Sequence, residues 1–232
     1  MKHGRQQNRT GLPGRLSGSL LAAGLLLLCF ASPAAAHPHV WIDSKTTLLF
    51  DAERRVSALE IVWRFDEFYS IYAIEGLDKN DDGVLEPAEL QPLAKLNVTS
   101  LKDYRYFTYV RVNGRDTAYG EVADYGSRFE DGILSLRFVL PLKEPVDPRI
   151  AQLSFTSFDP SFYISIEPQR EAPVILSGAV PEGCRVLLDR GDETETLNLA
   201  ESLFVDATAA DSLAAEFASR AALDCAASTG MR

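Results

Sequence analysis

The sequence predicts an α+β chain, mainly an antiparallel β sandwich or open barrel, with an EF-hand helix–loop–helix inserted into it. Three observations carry that prediction. β-Branched and aromatic residues recur in short runs from residue 40 to residue 188. Two gaps between runs are Asn113-Gly114 and Asp131-Gly132, dipeptides favoured by tight hairpins because both turn positions take positive φ. Between residues 66 and 103 the apolar period becomes helical on either side of an acidic loop. Many short strands at regular spacing is the pattern of a sandwich or barrel.

The first 36 residues are expected to play no part in that fold. Residues 1–19 carry Lys2, Arg5, Arg9 and Arg15 and no acid, and residues 20–30 form an apolar run too short for a comfortable membrane span. The small-residue triplet Ala34-Ala35-Ala36 follows. This order reads as a secretory signal peptide cleaved after Ala36, which directs the chain to the periplasm; the alternative is an uncleaved anchor. Cleavage of 36 residues from 232 leaves 196, and the loss of four positive charges takes the formal net charge from −10 to −14. So acidic a chain is a poor match for nucleic acid or anionic lipid. No later apolar run is long enough to span a membrane. Two cysteines remain, Cys184 and Cys225. An even count in an oxidising compartment favours a disulfide over two independent thiols, and no C-x-x-C spacing is present.

Strands are expected at residues 40–50 and 56–65 around a turn at 51–55. Asp66 is a suitable N-cap for a helix that would place Phe68, Ile71, Tyr72 and Ile74 on one side. Pro87 opens a second helix carrying Leu90, Leu93, Ala94 and Leu96. Strands resume at 106–112, 117–121, 125–130 and 133–140, with further ones at 151–158, 163–167, 174–176 and 185–188. The predicted organisation is a signal peptide at 1–36 and a β-rich domain at 37–190 with its insertion at 66–103. A tail at 191–232, alanine-rich and helix-compatible, is tied back through Cys225.

The loop at 78–89 matches the EF-hand pattern at every constrained position. Calcium is a hard cation that takes about six to eight oxygen ligands. Asp78, Asn80 and Asp82 supply side-chain oxygens at alternate positions, and Gly83 permits the bend that turns the Val84 carbonyl inward. Glu86 holds the position that usually acts through water, and Glu89 closes the set with both carboxylate oxygens. A solvated acidic turn is the bland alternative. No second such loop exists, because the acidic stretch at 189–200 lacks the glycine and the closing glutamate; a lone hand favours a structural role for the ion over a signalling one.

The expected mature chain begins His37-Pro38-His39. A free α-amine and two imidazoles suit copper, nickel, cobalt or zinc, although Pro38 removes a backbone nitrogen that a square amino-terminal chelate needs. The alternative is an exposed terminus with incidental histidines. No other histidine survives cleavage, so catalytic Ser-His-Asp, Cys-His or zinc-hydrolase sets cannot be assembled without these two. Carboxylate-only hydrolysis stays open among 33 acids, without any pair singled out.

The motifs His37-Pro38-His39-Val40-Trp41-Ile42-Asp43, Trp63-Arg64-Phe65-Asp66-Glu67-Phe68-Tyr69-Ser70, Tyr106-Phe107-Thr108-Tyr109 and Phe158-Asp159-Pro160-Ser161-Phe162-Tyr163 follow one another in order around the acidic loop. In this the chain resembles the bacterial domain of unknown function 1007 family, up to about Cys184. Members are often labelled the periplasmic component of an uncharacterised ABC-type transport system and are often encoded near nickel/cobalt-type permeases. The resemblance implies a role in transition-metal handling. Together with the histidine placement and the acidic loop it leads to the first expectation: an accessory to an inner-membrane metal permease, not an enzyme, with His37 and His39 as transition-metal ligands and calcium ordering the helical insertion. The competing expectations are a calcium-stabilised interaction module without transition-metal function and, third, a carboxylate-based hydrolase.

Overall fold

β1 (Val40–Phe50) and β2 (Val56–Phe65) form the first hairpin, closed by Asp51 N–H donating to the Arg55 carbonyl. A computed structural model of the chain describes residues 38–190 and 218–225. In both strands apolar residues face inward at nearly every second position, as a half-buried sheet requires. α1 (Glu67–Ala73) and α2 (Pro87–Leu101) follow, flanking the acidic loop. A turn of 3₁₀ helix at Lys102–Phe107 leads to β3 (Thr108–Val112) and the short β4 (Arg115–Asp116). β5 (Tyr125–Glu130) and the long β6 (Ile133–Val146) form a second hairpin. β7 (Leu153–Ser157), β8 (Ile164–Pro168), β9 (Val174–Gly178), β10 (Cys184–Asp189) and β11 (Arg220–Cys225) complete the order.

Two sheets result, and neither closes into a barrel. The first runs β5-β6-β2-β1-β8, with β9 also pairing β1. The second runs β10-β11-β7-β3-β4. Most pairs are antiparallel, but β8 and β9 lie parallel to successive halves of β1. Residues 169–173 loop out between them, anchored where Gln169 N–H donates to the Ser44 carbonyl and Thr46 N–H to the Pro173 carbonyl. Gly178 ends β9 at φ +95°, where an added Cβ would stand 2.3 Å from the Phe50 carbonyl oxygen, so only glycine fits this close approach. The Asn113-Gly114 and Asp131-Gly132 turns both take positive φ, as their hairpins require.

One apolar cluster joins the sheets, with Leu59, Ile61, Leu134, Leu136, Phe138 and Leu140 fully buried from the first, and Val110 and Leu153 fully buried and Phe155 nearly so from the second. α2 adds Leu90, Ala94 and Val98, an i, i+4, i+8 stripe. Leu93 packs half-buried beside that stripe, whereas Leu96 is exposed, because two residues past Ala94 is the opposite side of a helix.

α1 departs further from expectation. Asp66 is its N-cap, accepting from Tyr69 N–H, but Phe68, Ile71 and Tyr72 face solvent. The helix instead buries Ser70, whose hydroxyl donates to the Asp66 carbonyl and accepts from Leu134 N–H at 2.9 Å. With that pin to β6, Phe68, Ile71 and Tyr72 face outward while Tyr69, Ala73 and Ile74 pack half-buried against the core. The last expectation to change concerns the tail. Residues 191–217 and 226–232 lie outside the described residues, whereas Arg220–Cys225 is a strand between β7 and β10, not helix. Cys184 and Cys225 are directly paired in register and form the expected disulfide. No helix among the described residues is long and apolar enough to cross a membrane.

Candidate functional site

The acidic loop is built by its own backbone. Asp81 and Gly83 take positive φ, at 57° and 80°, and the chain coils tightly enough for Gly83 N–H to donate to Asp78 Oδ2 at 2.9 Å. Asp82 N–H donates to Asn80 Oδ1 and Val84 N–H to Asp82 Oδ1 at 2.8 Å. Glu89 reaches back across the loop, accepting from Lys79 N–H on Oε1 and from Glu86 N–H on Oε2. With Glu86 accepting from Glu89 N–H in turn, the two form a capping box at the start of α2. Asp78 Oδ1 is buried and without a hydrogen-bond partner.

Asp78, Asn80, Asp82, Val84, Glu86 and Glu89 are thus gathered on one loop. Their carboxylates are spent mainly on backbone N–H groups. Among the described residues, no three His, Cys, Asp or Glu side chains form a metal-ligating group. The donor set nevertheless fits a hard cation, because it is all oxygen and includes one amide, one backbone carbonyl and the bare Asp78 Oδ1. A buried carboxylate oxygen without a partner is costly unless a cation compensates it.

His37 lies outside the described residues. His39 is exposed, its N–H donates to the Tyr163 carbonyl and its ring stacks on Tyr163 at 4.7 Å. Trp41 N–H donates to Asp66 Oδ2 and Asp66 N–H to the Trp41 carbonyl, so the start of β1 is fixed to the N-cap of α1. Tyr69 packs beside Phe65, and burial pushes its phenol up, with Tyr163, Asp66 and Tyr72 nearby adding to the rise. The motifs that stand apart in sequence at 39–43, 63–70 and 158–163 therefore meet at one end of the first sheet.

A separate cleft of about 710 Å³ opens on the outer face of that sheet, over Val62, Arg64, Ser135 and Arg137 and beside Arg128, Glu130 and Asp131. Pro87 and Gln91 of α2 wall one side. Sequence reasoning missed this site. Its residues come from β2, β5, β6 and α2 and meet only through strand register, which no spacing in the chain reveals. Two acids, Glu130 and Asp131, line it beside the arginines.

A protein-family profile described as "Protein of unknown function (DUF1007)" matches residues 22–225. The chain is also 27% identical over 99 residues to an "Uncharacterized 15.5 kDa protein in trpE 3'region" from Spirochaeta aurantia, covering 43% of this chain and 70% of that protein. The residues matched by the family profile take in both sheets, the acidic loop and the disulfide. The chain belongs to the DUF1007 family of proteins of unknown function.

Proposed function

We propose that this is an exported calcium-binding protein whose loop at 78–89 holds one Ca²⁺ that orders the helical insertion. The observation that carries this reading is the buried, partnerless Asp78 Oδ1, on a loop whose other donors follow the EF-hand order. Asp78, Asn80 and Asp82 would supply side-chain oxygens, Val84 its carbonyl, Glu86 a water contact and Glu89 its carboxylate. The bound ion would supply positive charge alone, offsetting the mutual repulsion of five carboxylates on one short segment. Since Glu89 also caps α2, ion binding and helix order are linked through one side chain.

Calorimetry on the processed protein tests this. One ion per chain is expected, with a dissociation constant of about 10⁻⁴–10⁻³ M, the range of extracellular modules. At 10 mM calcium that affinity stabilises the fold by roughly 1.4–2.7 kcal/mol, read as a rise in Tm, and Glu89→Gln should remove most of it. Absence of both heat and Tm shift with millimolar calcium sinks the reading.

The family resemblance extends the proposal to an accessory of a nickel/cobalt-type permease in the inner membrane, with His37 and His39 taking nickel, cobalt, copper or zinc. The fixed, solvent-facing position of His39 at the start of β1 favours it. Titration of each metal into the processed protein and a His37→Ala/His39→Ala variant decides the point; equal binding by both removes this extension and leaves the calcium-stabilised interaction module.

A further inference from the structure

The cleft on the first sheet has an ordered charge pattern. Register places Arg64, Ser135 and Arg128 in one row across β2, β6 and β5. The next row toward the hairpin tip holds Ile133 opposite Glu130, with Asp131 in the turn just beyond. In the row on the other side, Arg137 lies between Val62 and Gly126. A Cβ added at Gly126 would meet nothing within 4 Å, so the floor there is open.

The three arginines are not equivalent. Arg137 is committed: it forms a fork to Asp124 at 2.7 and 3.1 Å, and its Nε donates to Glu60 at 2.7 Å. Two carboxylates balance it, and it serves as a strut. Arg64 has no ion pair or side-chain hydrogen bond among the described residues, although register sets Asp43 of β1 opposite it on the side away from β6. Among the described residues the Arg128 side chain has only Glu130, at 3.8 Å, with side chains 75% and 73% exposed. A contact that long and that wet is worth little and opens readily. Two available guanidinium groups therefore lie one row from two available carboxylates, and alternate residues along a strand are about 7 Å apart.

That balance excludes the simplest ligands. A polyanion would meet Glu130 and Asp131, and a polycation would meet Arg64 and Arg128. A molecule with one charge of each sign satisfies both rows. We propose that the cleft binds a small zwitterion of the amino-acid type, an amino acid or a short peptide with free ends. The carboxylate lies between Arg64 and Arg128, whose planar forks suit it. The ammonium lies against Glu130 and Asp131. Gln91 and Ser135 provide hydrogen-bonding groups for amides between the ends. The volume is within the usual range of small-molecule sites, roughly 300–1,000 Å³. None of this depends on calcium in the neighbouring loop.

Triglycine is the probe, titrated calorimetrically into the processed full-length protein beside N-acetyl-triglycine, triglycine amide and citrate. Saturable binding of triglycine is expected, with at least about a tenfold loss when either end is blocked, since each end makes charge-assisted hydrogen bonds. Arg64→Gln should lose as much, and Glu130→Gln with Asp131→Asn should lower affinity for triglycine but not for N-acetyl-triglycine. All four positions are exposed or half-exposed, and unchanged thermal midpoints would show that the variants fold. Should Arg128→Gln disturb the hairpin, Arg64→Gln alone decides the cationic row. No binding of triglycine, equal binding of the blocked peptides, or tighter binding of citrate overturns the proposal.

Discussion

The two sheets of the sandwich are made differently. The first rests on strands of 11, 10 and 14 residues, β1, β2 and β6, whose inward positions include the fully buried Ile42, Leu48, Ile61, Trp63, Leu136 and Phe138. In the second, no described strand exceeds six residues, and its strands are drawn from residue 108 to residue 225. Its β10 edge alternates half-buried with exposed residues and contributes no fully buried side chain. Long alternating strands specify register by themselves, because a one-residue slip would turn every apolar side chain to water. Short strands gathered from distant parts of the chain cannot do so. They are ordered by the face they cover and, at β10–β11, by a covalent link.

The comparison is most exposed to a cavity at the centre of the first sheet. Phe138 is fully buried, in edge contact with Trp63 at 5.5 Å and tilted against Tyr106 at 5.8 Å. Phe138→Ala should cost roughly 3–5 kcal/mol, measured by denaturant unfolding. Both sheets should be lost in one transition, since the second has no core without the first. A cost under 1 kcal/mol would mean that the first sheet does not carry the fold.

A smaller effect is expected at the other sheet. Replacing Cys184 and Cys225 with alanine removes a link across 41 residues of sequence and should cost roughly 2–4 kcal/mol. Amide exchange should quicken first in β10 and β11 while β2 and β6 keep their protection. Uniform loss of protection across both sheets would erase the distinction between them.

The same contrast explains what could be read from the chain. β1 and β2 are found at the limits their alternation suggests, and both Asn-Gly and Asp-Gly turns are where those dipeptides place them. The second sheet was half legible. β11 sits in an alanine-rich stretch that favours helix locally, and only pairing with β7 and β10 makes it a strand. The face of α1 was misread for a related reason: its inward side carries Tyr69, Ala73 and Ile74 around Ser70, whose hydroxyl accepts from Leu134 N–H of β6, a long-range contact that local spacing does not show. The acidic loop could be located from the chain, since its acids and its glycine fall within one short segment that coils on itself. The cleft could not, since Arg64 and Arg128 become neighbours only through β6.

The finest test lies at the joint between the sheets, where β6 of the first hands over to β7 of the second. Asp147 there accepts from Arg149 Nε at 2.8 Å and N–H at 3.0 Å, and its other oxygen meets the Arg149 guanidinium at 2.7 Å. Those side-chain hydrogen bonds first, and the backbone one second, hold the carboxylate down at about 2. The unfolded chain should show the ordinary aspartate value of about 3.9. A folded value below the unfolded one means that the favourable contribution is whole above about pH 4 and disappears as pH falls toward 2. The pair is partly exposed, so the effect should be small and should shrink in molar salt. Asp147→Asn should therefore flatten the fall of Tm between pH 4 and pH 2 relative to the unaltered protein. If the two curves run parallel through that window, the joint is held instead by its backbone, through the Ile150 and Ala151 N–H groups that donate to the Asp147 carbonyl.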